Sequence, residues 1–406
     1  MAISQNARRK QTRVGHSAKP MVAAAAVVMV VFMLSNATTP LYAVWQHELG
    51  FSAGALTLIF SAYVPGVLIA LLIGGQAADR HGRKPVLLPG LLAGVIACLL
   101  FCTAHSLGAL ILARFFAGLA TGVAAAVGVA AVVDLGGADR HRIASLLASL
   151  AMAIGVALGV SIVGVLARVL IHPAEVTFGA GVVIVGIAML VVALLPLKHF
   201  ANGQSGSSRQ PFAFPRVSPR NRIHLILGIS VFAPAMTAAS FTLALGPSLL
   251  AELRHEISPL LAGAMACVMF LCGTLAQLAL RRQSARTILL ASAGSVLVGM
   301  TALAVATVLR SQALLIMGAV FAGTAQSLGQ LGGLTLIGLH IGERERAQAN
   351  ALLAIGAYVP AGILPVADGF LVNQTGLVPG TFIFAIVLVI AALAGGGFVW
   401  TKLKRS

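Results

Sequence analysis

Four charged residues and a histidine lie close together in the segment GGQAADRHGRKP, from Gly74 to Pro85. The acid Asp79 precedes a glycine turn at Gly82, and Arg83 and Lys84 follow that turn. A carboxylate can bind the positively polarised N-terminus of a helix, and an arginine can bind a second carboxylate through charge-assisted hydrogen bonds. These residues therefore predict an ion-pair latch at a tight loop between two helices.

A second candidate for chemistry is Arg114, which stands alone in an apolar run. It lies eight residues beyond Ser106, or about 12 Å along a helix from that edge of a membrane. Burying a charge in lipid is costly, so a functional role is the default hypothesis. The alternatives are an arginine that snorkels outward or one that bonds to backbone carbonyls.

The elements that must position these residues are membrane helices. Of the 406 residues, 59% are hydrophobic and 9% are charged, which is too much apolar surface for a water-soluble core. A hydrocarbon core of ~30 Å takes ~20 helical residues to cross, and runs such as VAAAAVVMVVFML lack the alternation of barrel strands. Twelve such runs predict an all-α membrane protein. They cover roughly residues 21–42, 53–75, 85–104, 107–133, 143–171, 176–197, 223–250, 258–280, 287–309, 313–339, 349–372 and 378–401.

The net charge of +17 has a topological explanation rather than a nucleic-acid partner. Most of the 27 Lys and Arg residues fall in the N-terminal tail, the even-numbered loops and the C-terminal TKLKRS, whereas Arg168, Arg254 and Arg310 fall on the other side. The positive-inside rule predicts a multi-pass protein of a bacterial-type inner membrane with both termini cytoplasmic. That side would face anionic lipid headgroups.

The sequence lacks the usual signs of an enzyme or a metal protein. The four cysteines lie in apolar runs without neighbouring histidines or carboxylates, so neither a disulfide framework nor a metal site is predicted. We find no nucleophile with a base and an orienting group and no phosphate-binding GxxxxGK loop. The prediction is a protein that is not an enzyme and has no cofactor.

The chain is predicted to consist of two related halves. A segment rich in Ser, Pro, Gly and Arg at residues 198–222 reads as a cytoplasmic linker between six-helix bundles at residues 1–197 and 223–406. FAGLAT begins at Phe116 and FAGTAQ at Phe321, while QHELGFSAGAL and RHEISPLLAGA follow the first and seventh spans at nearly the same offset. Such internal repeats are typical of secondary transporters with alternating access.

The charged loop resembles the loop between spans two and three of the major facilitator superfamily, with the pattern G-x-x-x-D-R-x-G-R-K. The fourth span adds RFFAGLATG, which is similar to a second motif of the superfamily through Arg114, Gly118 and Gly122. Together with twelve spans and a central linker, the resemblance covers the whole chain. The matching loop residues are Gly75, Asp79, Arg80, Gly82, Arg83 and Lys84.

The resemblance implies roles for these charges. Asp79 would meet the N-terminus of the eleventh span, while Arg83 could pair with Asp134 at the cytoplasmic end of the fourth. Such pairs would hold the halves closed inside and break as the halves rock. The alternative is that the basic residues only fix topology. In the family, the arginine that matches Arg114 is associated with proton coupling.

The fifth span contains AIGVALGVSIVG, with Gly155, Gly159 and Gly164 on or near one face. Small residues let helices approach closely in lipid, which alone would explain them. The spacing also resembles the third motif of the drug-proton antiporter branch, G-x-x-x-G-P-x-x-G-G. Val160 stands in place of its proline, and the closing glycine pair is absent.

The superfamily arrangement implies that spans one, four, seven and ten line a central cavity. Hydroxyls and amides among aromatics and methionine suit an apolar or amphipathic small molecule, although each residue could equally serve helix packing. None of the ten acids lies at the membrane midplane, which leaves Asp134 and Asp368 as candidates for proton binding. The cavity candidates are Asn36, Thr39, Tyr42, Phe232, Met236, Ser240, Phe321, Thr324, Gln326 and Gln330.

The leading hypothesis from the sequence is a transporter that exports small amphipathic or drug-like molecules in exchange for protons, working as a monomer as the superfamily usually does. The alternative is an uptake carrier or facilitator for a small polar or anionic metabolite, attracted by Arg114. A sensor or scaffold is a third possibility, but the chain has little room for a soluble signalling domain.

Overall fold

The computed structural model describes residues 18–197 and 217–403. Within these residues, twelve helices are long and apolar enough to cross a membrane, which confirms the predicted all-α fold. We number them α1 to α12 along the chain. The bounds are α1 Ala18–Leu49, α2 Ala53–His81, α3 Lys84–Cys102, α4 Leu107–Gly137, α5 Arg140–Val169, α6 Pro173–Leu194, α7 Pro219–Arg254, α8 Pro259–Leu280, α9 Ala285–Leu309, α10 Gln312–His340, α11 Gln348–Thr375 and α12 Leu377–Lys402.

Several helices begin or end at residues whose local chemistry defines the boundary. The Ser52, Ser106 and Ser284 hydroxyls each accept a hydrogen bond from the backbone N–H three residues further on, as helix N-caps do. At the other end, α2 continues to His81, beyond its predicted end at residue 75. Its last turns contain polar residues, which form a helix although their hydropathy is low. The hydropathy of the sequence therefore placed that end too early.

The described chain begins and ends on the same side of the helix bundle because the number of spans is even. We call this side the basic face, since it holds Arg83, Lys84 and Arg286. The opposite side, which holds Ser52 and Ser106, is the distal face. The predicted basic tail at residues 1–17 and most of the predicted linker, at residues 198–216, lie outside the described residues.

Glycines bring α2 and α4 into backbone contact. A Cβ atom added to Gly118 would lie 2.1 Å from the Tyr63 carbonyl oxygen, and one added to Gly66 would lie 2.3 Å from the Phe115 oxygen. A side chain at either position would push the helices apart, so the absence of side chains allows this crossing. Gly118 lies one helical turn from Arg114 on α4, so this contact places the backbone of Tyr63 close to Arg114.

The three glycines of the fifth span divide between two contacts. Gly155 and Gly159 pack on α1, where added Cβ atoms would lie 2.4 and 2.0 Å from the Met29 and Met33 oxygens. Gly164 instead faces α8 in the second half (α7 to α12), where an added Cβ atom would lie 3.4 Å from the Cα atom of Gly263. The same row of small residues therefore packs within the first half and against the second.

The contact between α2 and α4 gives a direct test of this packing. We expect Gly118→Leu to force the two helices apart and destabilise the protein by roughly 1–3 kcal/mol or more, because backbone atoms cannot move aside as a flexible side chain can. Gly108→Leu, on the same helix but with open space around its Cβ position, is the matched control. Thermal unfolding of both purified variants in detergent measures the difference; equal melting temperatures would contradict the structure.

Candidate functional site

Arg114 is buried in the first half, with only 4% of its surface exposed. Its Nη1 atom donates to the Ser35 carbonyl oxygen at 3.0 Å and to the Thr38 hydroxyl at 3.2 Å. The guanidinium carbon lies 5.2 Å from the Phe60 ring centroid and 4.9 Å from that of Tyr63. Arg114 therefore bonds to a backbone carbonyl, as one of the sequence alternatives had it, and aromatic faces stabilise its charge.

A break in α1 makes these acceptors available. The regular helix stops at Asn36, and a short 3-10 turn follows from Thr39 to Leu41. Pro40 in that turn has no N–H to donate to a carbonyl of the preceding turn, so an unbroken helix is disfavoured there. The break lets the Ser35 oxygen accept from Arg114, and it places the Thr38 hydroxyl 3.4 Å from the hydroxyl of Tyr42.

Tyr42 and Tyr63 extend this cluster. The Tyr42 ring centroid lies 5.7 Å from the Arg114 guanidinium carbon. The Tyr63 hydroxyl lies near Thr121, and its phenol lies near that of Tyr358 on α11. We call Tyr42, Phe60, Tyr63 and Arg114 the arginine cage. Because Tyr358 belongs to the second half, the cage adjoins the boundary between the halves.

Arg114 forms no ion pair with any carboxylate of the described residues, where an ion pair requires a distance of 4.0 Å or less. Its Nε atom is buried and has no hydrogen-bond partner among them. Neutral groups alone hold this charge in the described structure. The role in proton coupling that the family resemblance implies for Arg114 stays a prediction.

Asp368 is the other buried ionisable group. It is 4% exposed, and neither of its carboxylate oxygens has a hydrogen-bond partner among the described residues. It lies about 10 Å before the end of α11 at Thr375. The next residue, Gly369, packs on the Thr57 hydroxyl of α2, so the other half of the protein covers this part of α11.

Hydrogen bonds join the two halves at the distal face. The Asn373 side chain on α11 accepts from the Gly54 N–H at 3.3 Å and donates to the Ser52 hydroxyl at 3.1 Å, at the N-terminus of α2. The Ser248 hydroxyl on α7 donates to Gln46 Oε1 on α1 at 3.0 Å. We call these residues, Gln46, Ser52, Gly54, Ser248 and Asn373, the distal seal.

The predicted latch residues cluster at the basic face. Arg83 Nη1 lies 3.5 Å from Asp79 Oδ1, and Arg83 Nε donates to Asp134 Oδ2 at 3.1 Å. All three residues belong to the first half, so these ion pairs do not themselves join the halves. Gly82, with φ of 92°, makes the turn that only glycine adopts without strain.

The remaining latch residues also lie at this face. Lys84 Nζ donates to the Ala193 carbonyl oxygen at 2.7 Å, at the end of α6. Arg80 has interaction partners too, and Gly75 lies in open space on α2. The side chain of Asp79 is 75% exposed. Asp79 is thus exposed at the basic face, whereas the hydrogen bonds that join the halves lie at the distal face.

The predicted cavity residues differ in exposure. Tyr42 belongs to the arginine cage, whereas the Asn36 side chain bonds to the Phe32 oxygen of its own helix. Phe321 packs against α9, because a Cβ atom added to Gly299 of that helix would lie 3.0 Å from the Cβ atom of Phe321. Thr39, Tyr42, Phe232 and Ser240 are buried, Asn36, Met236, Phe321, Thr324 and Gln326 are partly exposed, and Gln330 is exposed.

Two further polar groups at the basic face were missed at the sequence level. The His224 and His340 rings stack with centroids 4.0 Å apart, joining α7 to α10. Glu345 accepts hydrogen bonds from Asn221 and Ser218 at the start of α7, and these bonds hold the pKa of Glu345 below its ordinary value. In the sequence, each of these residues is only a polar residue beside a helix end. Such residues are too common for this position to indicate a particular role.

Comparison with known proteins identifies the class of protein that has this architecture. The family model of the Major Facilitator Superfamily matches residues 24–309, and the chain belongs to that family. It is therefore a membrane transporter and not an enzyme, as predicted. The family resemblance inferred from the charged loop is confirmed.

Among curated proteins, the chain is similar to Multidrug resistance protein MdtL of Escherichia coli O9:H4 (strain HS) and of Shigella flexneri. In each case the identity is 31% over 171 residues, which is 40% of this chain and 41% of the relative. The match thus spans about two fifths of the length of these relatives.

Solved structures share the fold at low sequence identity. The nucleoside transporter NupG superposes with a TM-score of 0.74 at 15% identity, covering 95% of this chain and 100% of that one. The xylose transporter XylE from E. coli, in a partially occluded inward open conformation, gives a TM-score of 0.68 at 15% identity, covering 95% and 98%.

The distal seal gives a prediction about conformation. Asn373 forms two neutral hydrogen bonds to the first half, each contributing about 1 kcal/mol, so Asn373→Ala should shift the ratio of distally closed to distally open molecules roughly thirtyfold towards open. Double electron–electron resonance measures the distribution of distances between spin labels at His105 and Ala313 on the distal face. Thr375→Val is the matched control, since the Thr375 hydroxyl bonds within its own helix and to the adjacent Gly376. An unchanged distribution in Asn373→Ala would show that the seal does not hold the halves.

Proposed function

We propose that this transporter exports small amphipathic molecules from the cytoplasm by alternating access, in exchange for protons. The partial similarity to the multidrug resistance protein MdtL supports export. The density of Lys and Arg on the basic face supports a cytoplasmic location for that face in a bacterial-type inner membrane. The conformation described above is then the inward-facing one.

The observation that carries the proposal is the distribution of contacts between the halves. Hydrogen bonds close the distal face through Asn373 and Ser248, whereas Asp79 at the basic face is exposed to water. A molecule entering from the cytoplasm would meet the arginine cage below a closed seal. Rocking the halves about that site would open the seal and close the basic face, which is alternating access.

Asp368 is the proposed proton carrier. Ionising a carboxylate that is 4% exposed and has no hydrogen-bond partner would bury an uncompensated charge, so closing the distal side favours a bound proton. Opening the distal side would expose the same carboxyl to external water. The exchange is completed when substrate that binds from the cytoplasm lowers the proton affinity of Asp368, so that the proton leaves to the cytoplasm.

The loop motif is the proposed inner latch. In the outward-facing conformation, Asp79 would bind the N-terminus of the helix that leads into α11, which begins after Gly342. That helix has no side-chain cap at Gly342, so its first N–H groups can donate hydrogen bonds to a carboxylate from another helix. Arg83, held by Asp134, would keep Asp79 oriented.

A second candidate function is the uptake of a small polar or anionic metabolite. The observation that favours it is the unpaired charge of Arg114, which would attract an anion from either side of the membrane. Direction of transport separates the two candidates.

The first experiment tests export and the role of Asp368 together. An efflux-deficient bacterium that expresses the intact protein should survive higher concentrations of at least one compound in a panel of dyes, antibiotics and metabolite analogues. Asp368→Asn at matched membrane abundance should abolish that resistance, whereas Glu175→Gln, an exposed acid at the distal face, should retain it. Sensitivity raised by the intact protein would instead establish uptake.

A prediction for the latch follows from its geometry. Asp79→Asn should lower the rate of substrate efflux several-fold without changing expression or topology, because an amide binds a helix N-terminus more weakly than a carboxylate does. Efflux of a dye found in the panel measures the rate in whole cells. Glu256→Gln, at an exposed acid on the distal face, is the control. An unchanged efflux rate in Asp79→Asn would reduce the loop to a topology signal.

A further inference from the structure

The buried charge of Arg114 lacks an anionic partner within the described protein, and we propose that the transported molecule supplies one. The substrate would be an amphipathic organic anion whose carboxylate or sulfonate group pairs with Arg114. This inference rests on the proposed transport function and specifies its substrate class.

The geometry of Arg114 leaves hydrogen-bonding capacity for such a group. A guanidinium has five N–H donors, and the hydrogen bonds observed here are those from Nη1 to Ser35 and Thr38. Both acceptors are neutral, and the buried Nε has no partner among the described residues. A buried charge is stable only when it is paired or well solvated by dipoles, and a planar anion binds a guanidinium through two parallel bonds.

No acid whose side chain the structure describes competes for this position. Of these eight acids, seven lie near the two faces, and the eighth, Asp368, is buried but forms no ion pair with Arg114. An anion brought by the substrate would therefore meet an uncompensated positive charge. The seven acids near the faces are Glu48, Asp79, Asp134, Glu175, Glu252, Glu256 and Glu345.

The aromatic residues around Arg114 indicate the chemistry of the rest of the substrate molecule, to which the anionic group is attached. Tyr42, Phe60 and Tyr63 surround the guanidinium with ring faces, and Tyr358 adjoins them from the second half. The edges of these rings and the faces turned away from Arg114 can contact apolar and aromatic bodies, so the cage suits a flat apolar molecule with one charged end. A cationic molecule would meet the like charge of Arg114 in a medium of low dielectric constant, where the repulsion is strong.

The charge of the substrate also bears on how export is driven. A cell interior at negative potential pushes an anion outward, so each anion exported moves charge in the favourable direction. Export of an anion and entry of a proton both draw on the same potential. Such a transporter can couple to the membrane potential without a carboxylate at the midplane.

The test compares three probes that share a naphthalene body and differ in the head group and its charge: naphthalene sulfonate, naphthalene sulfonamide and naphthyl trimethylammonium. Their binding to the full-length protein in nanodiscs of neutral lipid is measured by calorimetry. We expect the sulfonate to bind at least ~10-fold more tightly than the sulfonamide, which equals one ion-pair difference of about 1.4 kcal/mol, and the ammonium to bind most weakly. Equal affinities for sulfonate and sulfonamide in the intact protein would overturn the proposal without any variant.

Variants then assign the effect to Arg114. Arg114→Gln should remove the preference for the sulfonate, and Arg114→Lys should keep the sulfonate ahead of the ammonium because the charge remains. Arg168→Gln, an exposed arginine at the distal face, should change neither. A sulfonate preference that survives in a folded Arg114→Gln protein would overturn the assignment.

Flux in proteoliposomes separates this inference from the proposed function. An inside-negative potential should drive the sulfonate outward through the intact protein and leave the ammonium untransported. Export of neutral or cationic compounds with no sulfonate flux would overturn the substrate class while leaving the exporter intact. Absence of resistance to any compound of the growth panel would count against the exporter itself.

Discussion

The rest of this structure depends on close backbone contact between helices that lie in lipid. Lipid tails are as apolar as the helices, so packing has to supply the attraction that water supplies in a soluble protein. Gly118 and Gly66 allow α4 and α2 to touch along their backbones. That contact brings Phe60 and Tyr63 of α2 to Arg114 of α4, and without it the arginine would be a buried charge with far fewer partners.

The two faces of the molecule use different chemistry. At the basic face, Arg83 joins Asp79 and Asp134 within one half, and the side chain of Asp79 is exposed there. At the distal face, Asn373 and Ser248 join one half to the other through neutral groups. Arg114 and Asp368 lie between these two faces, each buried and each without an ion-pair partner among the described residues.

The sequence predicts the twelve spans well because the length of an apolar run is a local property that lipid imposes directly. It also singles out Arg114, since an isolated charge in such a run is conspicuous. It could not predict Phe60 and Tyr63 as its neighbours, because their contact depends on how two helices cross. Asn373 was missed for the same reason, and Asp368 looked close to the membrane surface until the covering residues of α2 were known.

The neutral composition of the distal seal has a consequence for the environments in which the transporter can work. Dissolved salt weakens ion pairs at a protein surface, but it acts weakly on hydrogen bonds between amide, hydroxyl and backbone groups. Asn373, Ser52, Gln46 and Ser248 have no charge to lose between acidic and alkaline surroundings. In the proposed orientation, the neutral closure at the distal face meets the changing external medium, while the charged basic face meets the buffered interior of the cell.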